Sequence, residues 1–106
     1  VIEANPRPGD APARDAETLV PRADAVGITG TAFTNHTIEH LLALCRPDAF
    51  VVVLGDTTPL SPVLFELGVD AVCGTLVTDA RAALRCVSQG ANFRQIAGKR
   101  LVALTR

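Results

Sequence analysis

Residues 50–62 read Phe-Val-Val-Val-Leu-Gly-Asp-Thr-Thr-Pro-Leu-Ser-Pro. The first five residues form a continuous apolar run of strand length, which is typical of a strand buried on both faces of a sheet. The Gly-Asp-Thr-Thr-Pro segment breaks this strand. Ser61 followed by Pro62 indicates the N-cap and first position of a short helix, which Gly68 can end. The stretch therefore predicts a strand, a turn and a helix in direct succession.

The same succession occurs upstream of this stretch. A strand over residues 25–28 leads through Thr29-Gly30-Thr31 to a helix over residues 35–45, which Pro47 closes. Helical spacing places four apolar side chains of this helix on one face: Ile38, Leu41, Leu42 and Cys45.

It occurs again downstream. We expect a short strand over residues 70–73, a turn or extension over residues 74–79, a helix over residues 80–89 and a last strand over residues 101–104. The residues of this helix predicted to face inward are Ala80, Ala83, Leu84 and Val87.

The N-terminal part predicts a strand over residues 1–4, a loop rich in proline over residues 5–12 and a weak helical turn over residues 16–20. Strands that alternate with helices favour right-handed crossovers and a parallel sheet. We predict an α/β fold, a Rossmann-like three-layer αβα domain with a mainly parallel sheet. Because the chain opens on a strand, we expect this domain to be incomplete at its N-terminus.

The amino-acid composition restricts the classes of function that we consider for this chain. The 106 residues are 48% hydrophobic and only 4% aromatic, which suits one domain with an aliphatic core. Ten basic and eleven acidic residues give a net charge of −1 without a basic cluster, so we predict no nucleic-acid or membrane partner. The three cysteines lie far apart, without a C-x-x-C pair, which favours a reduced, cytoplasmic protein.

Parallel sheets bind ligands outside the carboxyl ends of their strands. The residues just after the predicted strands lie in the segments 3–5, 29–31, 55–58 and 74–75. Three of the four combine glycine with threonine, and two lead into predicted helix N-termini, which suits a phosphate, a carboxylate or a polar cofactor edge. The alternative without a ligand is that glycine and threonine occur in these segments only because they are favourable turn and cap residues.

Two carboxylates stand among these residues. Glu3 occupies the position where a Rossmann domain often holds a ribose hydroxyl, and Asp56 is our candidate for a cation or a hydroxyl group. Either could instead be a solvated carboxylate at the rim.

His36-Thr37-Ile38-Glu39-His40 matches a zinc-binding pattern, H-x-x-E-H. We interpret both histidines as exposed polar residues, because they lie opposite the apolar face and lack a third ligand. We interpret the cysteines as small buried residues rather than soft-metal ligands.

Several longer stretches resemble one family of prokaryotic domains of unknown function, labelled "Putative heavy-metal chelation". The resemblance covers residues 1–96 and is carried by the segments 5–10, 28–31, 35–38, 59–65, 68–70, 87–90 and 92–94. It implies an enolase-like N-terminal domain, absent here, a Rossmann-like C-terminal domain that this chain represents, and a site in the cleft between them. The positions that it implies for the site are Asn5, Thr29, Gly30, Thr31, Asn35, Gly55, Thr57, Pro59, Leu60 and Ser61.

Asp56 and His36 depart from this family's usual residues, so Asp56 can change the ligand and the zinc pattern looks accidental. The first hypothesis is binding of a metal ion or a metal-bearing small molecule, with Asp56 as its metal ligand. The alternatives are a nucleotide-cofactor enzyme that uses Glu3, and a structural or interaction module. The sequence leaves open whether catalysis occurs, and a homo-oligomer is a further partner that we consider.

Overall fold

The computed structural model describes all 106 residues. Its strands are β1 (Ile2–Glu3), β2 (Ala11–Pro12), β3 (Ala25–Thr29), β4 (Phe50–Leu54), β5 (Ala71–Val77) and β6 (Lys99–Thr105). Its helices are α1 (Ala16–Leu19), α2 (Thr31–Thr34), α3 (Ile38–Leu44), α4 (Val63–Glu66) and α5 (Ala80–Ser88). Single turns of 3-10 helix occupy Ala13–Asp15, Val20–Arg22 and Phe93–Gln95.

The main sheet has four strands in the order β3-β4-β5-β6. The first three run parallel, and β6 runs antiparallel to β5. Strands β1 and β2 form a separate parallel pair. The predicted α/β fold with a mainly parallel sheet is therefore confirmed, whereas the predicted strand over residues 1–4 lies outside the main sheet.

The antiparallel direction of β6 differs from the expected run of parallel crossovers. The N–H groups of Thr78 and Asp79 both donate to the carbonyl of Gly98, at 2.8 and 3.0 Å. Residues 80–97 consequently leave and rejoin the sheet at the same end, next to the end of β5. A chain that re-enters the sheet beside the carboxyl end of β5 can only run back toward the amino end of β5. Strand β6 is therefore antiparallel to β5.

The hydrophobic core lies on one face of the sheet. Helices α2, α3 and α4 bury Ala32, Ile38 and Leu64 against inward residues of the parallel strands. These strand residues are Ile28, Val51, Val53 and Val72. The apolar face predicted for residues 35–45 is confirmed, since Leu41, Leu42 and Cys45 pack against this core.

The opposite face of the sheet is apolar and largely uncovered. The register places Phe50 beside Ala25, and Leu101 beside Thr75, on this second face. Phe50 is 52% exposed and Leu101 is 70% exposed. The molecule measures 44 × 34 × 20 Å, and its radius of gyration of 15.6 Å exceeds the roughly 13 Å expected of a compact domain of this length.

Two helix predictions need correction. The segment over residues 35–45 begins its helix only at Ile38, because His36 adopts a left-handed backbone conformation with φ 57°. In α5, Leu84 and Val87 point outward and are 69% and 55% exposed, and Ala80 is exposed as well. Of the four residues predicted to face inward, only Ala83 is buried.

Leu84 and Val87 point outward because the chain segment that follows α5 passes close to the other side of this helix. A Cβ atom placed on Gly98 would lie 3.2 Å from the Cβ of Ala82, and the N–H of Ala97 donates to the Sγ of Cys86 at 3.4 Å. Only small side chains fit between α5 and this segment.

No helix of the structure has the length and apolar character that crossing a bilayer requires.

Candidate site at the carboxyl ends of the parallel strands

Two turns meet at the carboxyl ends of β3 and β4, and backbone hydrogen bonds hold each turn to the next strand. The N–H of Gly30 donates to the carbonyl of Leu54 at 2.9 Å, and the N–H of Gly55 donates to the carbonyl of Cys73 at 3.2 Å. The parallel ladder therefore continues one residue beyond each strand. We call residues 29–31 and 55–58 together the rim.

The two rim turns approach each other so closely that only glycine fits at residue 30. A Cβ atom on Gly30 would lie 2.6 Å from the Oγ1 of Thr58 and 2.8 Å from its backbone nitrogen. Gly55 has φ +137°, and a Cβ there would lie 3.4 Å from the nitrogen of Gly30. Gly30 and Gly55, both predicted for the site, thus allow the two turns to pack in direct contact.

Thr58 lies at the centre of this contact and is only 5% exposed. Its Oγ1 is buried without a hydrogen-bond partner and packs against Gly30. The carbonyl of Thr58 also packs on Gly74, where a Cβ would lie 2.8 Å away. Thr58 thus joins three neighbouring strands. The sequence placed it in the turn but not among the site residues, because no local signal distinguishes a buried threonine from an exposed one.

Polar groups on the outside of the rim remain accessible. The Oγ1 atoms of Thr29 and Thr31 lie 3.1 Å apart, and the N–H of Thr31 donates to the Oγ1 of Thr29 at 3.4 Å. The backbone N–H groups of Asp56 and Thr57 donate to no acceptor within the chain. The rim therefore presents the hydroxyls of Thr29, Thr31 and Thr57, two free N–H groups and one carboxylate to solvent.

Other predicted site residues lie elsewhere. Asn35 follows α2, one helical turn beyond Thr31, and its N–H donates to the carbonyl of Thr31. Helix α4 begins at Val63 with Pro62 as its N-cap, so the predicted cap by Ser61 is wrong: no side chain caps this helix. Four residues, Pro59 to Pro62, separate the second turn from α4, which therefore does not begin at the turn.

The fourth segment, Gly74-Thr75, forms no turn. Of the two alternatives for residues 74–79, a turn or an extension, the extension is confirmed as far as Val77, because β5 continues through this segment. Pairing with β6 extends β5 past the end of β4 and supplies the backbone partners that a turn would leave free. Of the positions implied by the resemblance, Leu60 contacts Gly74, where a Cβ would lie 3.0 Å from Leu60 Cδ2, and Pro59 is exposed.

Glu3 and Asn5 line a polar cleft of about 350 Å³ beside the small β1–β2 sheet, and they share it with Arg7 and Asp10. The N–H of Arg7 donates to the Oδ2 of Asp10 at 3.1 Å, and the N–H of Asp10 donates to the carbonyl of Arg7 at 2.9 Å. A tight turn thus places both charged side chains at the cleft. The Asn-Pro-Arg-Pro-Gly-Asp motif contained this signal, although Arg7 and Asp10 were not among the candidates.

The two histidines do not form a pair. His36 precedes α3 and His40 lies within it, so the one-turn spacing of the zinc pattern is absent. The Nε2 of His40 lies 2.7 Å from the Oε1 of Glu17, an ion pair that ties α3 to α1 when the imidazole is protonated. Both histidines are exposed, as predicted.

The three cysteines are unpaired and lie on different elements. Cys45 follows α3 and donates from its Sγ to the carbonyl of Leu41 at 3.3 Å. Burial raises the pKa of the Cys45 thiol above its ordinary value, which disfavours the thiolate that binds metals.

A bare heavy-metal ion does not fit this donor set. Nowhere in the structure do three or more His, Cys, Asp or Glu side chains come together in a way that could hold a metal ion. Asp56 is the one carboxylate of the rim, and its neighbours there offer hydroxyl and peptide groups. These are hard oxygen donors, whereas soft metals prefer thiolates.

The sheet, its crossovers and its rim define a Rossmann-like α/β domain. The chain belongs to the DUF364 family, described as "Putative heavy-metal chelation", whose model matches residues 1–106. Among curated proteins, none matches the chain.

Two solved structures are similar to the chain. A DUF364 protein of unknown function from Desulfitobacterium hafniense is 32% identical with a TM-score of 0.87, over 99% of this chain and 43% of that protein. Another from Pyrococcus horikoshii is 19% identical with a TM-score of 0.88, over 100% of this chain and 45% of that protein. The chain spans less than half the length of either relative.

Proposed function

We propose that the rim binds a metal ion carried inside a small oxygen-donor chelate, rather than the bare ion. The observation that supports this most is the combination of groups at the rim. Free N–H groups and hydroxyls suit the anionic oxygens of a chelating molecule, and the carboxylate of Asp56 suits the cation within it.

The single carboxylate argues against each simpler ligand. A bare ion needs several protein ligands, and the chain groups fewer than three candidates anywhere. A free anion would face the negative charge of Asp56 without a compensating basic side chain in the rim turns. A chelate that contains its own cation satisfies both requirements, and the family description is consistent with it.

The rim is open to solvent, so the proposal includes a second wall. The longer relatives supply a reason to expect one, since more than half of each lies outside the match. We propose that the site lies in a cleft between this domain and another part of a longer protein. The ligand contacts made by the present chain alone are then only some of the total, and we expect weak binding by the isolated chain.

The experiment is a calorimetric titration of the 106-residue chain with three probes: ferric citrate, citrate alone and nickel chloride. We expect ferric citrate to bind more tightly than citrate, and nickel alone to show no saturable binding at the rim. Replacement of Asp56 by Asn should remove the preference for the metal-loaded form, because the carboxylate ligand is lost.

Thr31→Val should weaken both citrate forms, since it removes a hydroxyl from the rim. Thr18→Val is its matched control, because Thr18 is an exposed helical threonine in α1. Tight binding of nickel alone would contradict the proposal. Failure of every probe would favour an interaction module, and a response to an adenine dinucleotide that Glu3→Ala abolishes would favour the nucleotide-cofactor enzyme.

A further inference from the structure

The polar cleft beside the β1–β2 sheet brings charged side chains of both signs together. Its lining consists of Glu3, Asn5, Arg7 and Asp10, without any hydrophobic residue. The cleft volume of about 350 Å³ falls in the range of small-molecule sites. No residue of the rim lines this cleft, so its ligand is independent of the chelate proposed for the rim.

The charges of the cleft are not neutralised within the chain. The structure contains five ion pairs, and none of them includes Glu3, Arg7 or Asp10. The side chains of Glu3, Asn5 and Arg7 also form no hydrogen bond with another residue. One guanidinium and two carboxylates thus line the same cleft with their charges available to a ligand.

The local backbone explains why Arg7 and Asp10 do not pair with each other. The Oδ2 of Asp10 accepts from the backbone N–H of Arg7 at 3.1 Å, so the carboxylate is held by the backbone of Arg7 and not by its guanidinium. Pro6 and Pro8 flank Arg7 and restrict its backbone, and Gly9 makes the turn with φ +98°. The turn is therefore preorganised, which lowers the entropy that a ligand must remove on binding.

Pairing of the two short strands attaches this turn to the second carboxylate. The N–H of Ala11 donates to the carbonyl of Val1 at 2.7 Å, and the register then places Glu3 beside Pro12. Glu3 is the last residue of β1, and Asp10 immediately precedes β2. The two carboxylates consequently reach the cleft from different strands.

We propose that the cleft binds a small molecule with two ammonium groups and one carboxylate, the class of compound to which ornithine belongs. The guanidinium of Arg7 binds the ligand carboxylate, for which its planar pair of N–H donors is suited. The carboxylates of Glu3 and Asp10 each bind one ammonium group. The amide of Asn5 donates to the one kind of group or accepts from the other.

The balance of charges argues against simpler ligands. A phosphate or another free anion would meet two carboxylates and only one guanidinium. A divalent cation would meet the guanidinium of Arg7 and fewer than three acidic, histidine or cysteine ligands. A monoamino carboxylate leaves one protein carboxylate uncompensated, and a diamine leaves Arg7 without a partner.

A nuclear magnetic resonance titration of the isotope-labelled 106-residue chain with three probes tests this proposal. L-Ornithine carries all three charges, L-norvaline lacks the side-chain amine, and putrescine lacks the carboxylate. We expect saturable shifts of the amide signals of Glu3, Asn5, Arg7 and Asp10 with ornithine. The Kd for ornithine should be at least about tenfold lower than for either other probe, because each of these lacks one charged hydrogen-bonding group.

Two variants with matched controls assign the roles of the side chains. Arg7→Gln should raise the Kd for ornithine at least about tenfold and should not weaken putrescine, which has no carboxylate. Glu3→Gln should raise the Kd for ornithine by about the same factor and affect norvaline less. Arg22→Gln and Glu66→Gln are the controls, since both residues are exposed and lie outside the cleft. An unchanged amide signal of Val53 verifies that each variant is folded.

Three results would each overturn the proposal. The first is that norvaline or putrescine binds as tightly as ornithine. The second is that the control variants weaken ornithine as much as Arg7→Gln and Glu3→Gln do. The third is that ornithine causes no saturable shift at the four cleft residues.

Discussion

Gly30 and Thr58 illustrate how single residues position the rim. A side chain at residue 30 would meet backbone atoms of Thr58 at 2.8 and 2.9 Å, which cannot move without moving the turn. Gly27, in the same strand, has space for a Cβ at 3.4 Å from Leu54. The difference between the two glycines is therefore one of steric contact.

We predict that Gly30→Ala lowers the free energy of unfolding by about 1–3 kcal/mol, because a methyl group is forced into an occupied space. Gly27→Ala is the control and should change it by less than about 1 kcal/mol. Urea denaturation of both variants measures the difference. Equal effects of the two substitutions would show that the rim turns are not locked as described.

Thr75 carries a buried hydroxyl whose effect on the stability of the fold can be measured. Its Oγ1 is buried without a hydrogen-bond partner, and such a hydroxyl destabilises the folded state by about 1–3 kcal/mol. Thr75→Val has nearly the same shape and should raise the melting temperature of the chain. A lower melting temperature would indicate that the hydroxyl does have a partner in solution.

Individual residues were the least predictable from the sequence. The meeting of Thr29, Gly30, Thr31 and Gly55 at one rim could be predicted, because the carboxyl ends of parallel strands lie at one edge of the sheet. Thr58 could not, because its burial depends on how two turns pack. Ser61 failed as a cap because the helix begins one residue later than its Ser-Pro pattern indicates.

Among the elements, the amino ends of the strands are joined by Asp70. Its Oδ2 accepts from the N–H of Val51 at 2.8 Å, and its Oδ1 accepts from the guanidinium of Arg106. The hydrogen bond from Val51, followed by the pairing with Arg106, holds the pKa of Asp70 below its ordinary value. Asp70 thus connects β4, β5 and the end of β6.

We predict that this contact stabilises the fold at neutral pH and is lost in acid. The folded-state pKa is lower than the unfolded one, so the stabilisation is present above the unfolded value of about 4 and disappears as the pH falls through the folded value. Asp70→Asn should reduce the acid dependence of unfolding, measured in urea as the pH is lowered from about 7 through the range in which carboxylates titrate. Asp56→Asn is the control, because Asp56 accepts no hydrogen bond, and an equal effect would contradict the role of Asp70.

Elements with strong periodicity were predicted well. The strand predicted over residues 50–54 matches β4, because a run of five apolar residues between polar turns is typical of a buried strand. Strand β2 was missed, since a segment with three prolines does not indicate pairing. The predicted inward side of α5 was right for Ala83 and wrong for Ala80, Leu84 and Val87, because the amphipathic pattern reports apolar residues and not which neighbour covers them.

At the scale of the whole molecule, the uncovered sheet face dominates the behaviour that we expect. The exposed side chains of Phe50, Leu54 and Leu101 belong to one apolar surface across the sheet. Such surfaces cause association or bind partners. The fold class was predictable from alternating elements, whereas an open face could not be, because apolar strands look alike whether or not a helix covers them.

We predict that the isolated chain self-associates as its concentration rises and binds a hydrophobic dye. Phe50→Thr together with Leu101→Thr should reduce both without a large loss of stability, since these side chains are already exposed. Leu84→Thr, on the outer side of α5, is the control at a comparable exposure. Sedimentation velocity checks the outcome, and a chain that stays monomeric and binds no dye would contradict the open face.

Ligand binding by the rim turns can be measured by a nuclear magnetic resonance titration of the labelled 106-residue chain. With citrate complexed to diamagnetic gallium as the probe, the amide signals of Thr31, Asp56 and Thr57 should shift in a saturable manner. Signals at the opposite end of the strands, such as Arg46 and Asp70, should stay in place. Shifts confined to that opposite end, or no shifts at any residue, would contradict ligand binding at the rim.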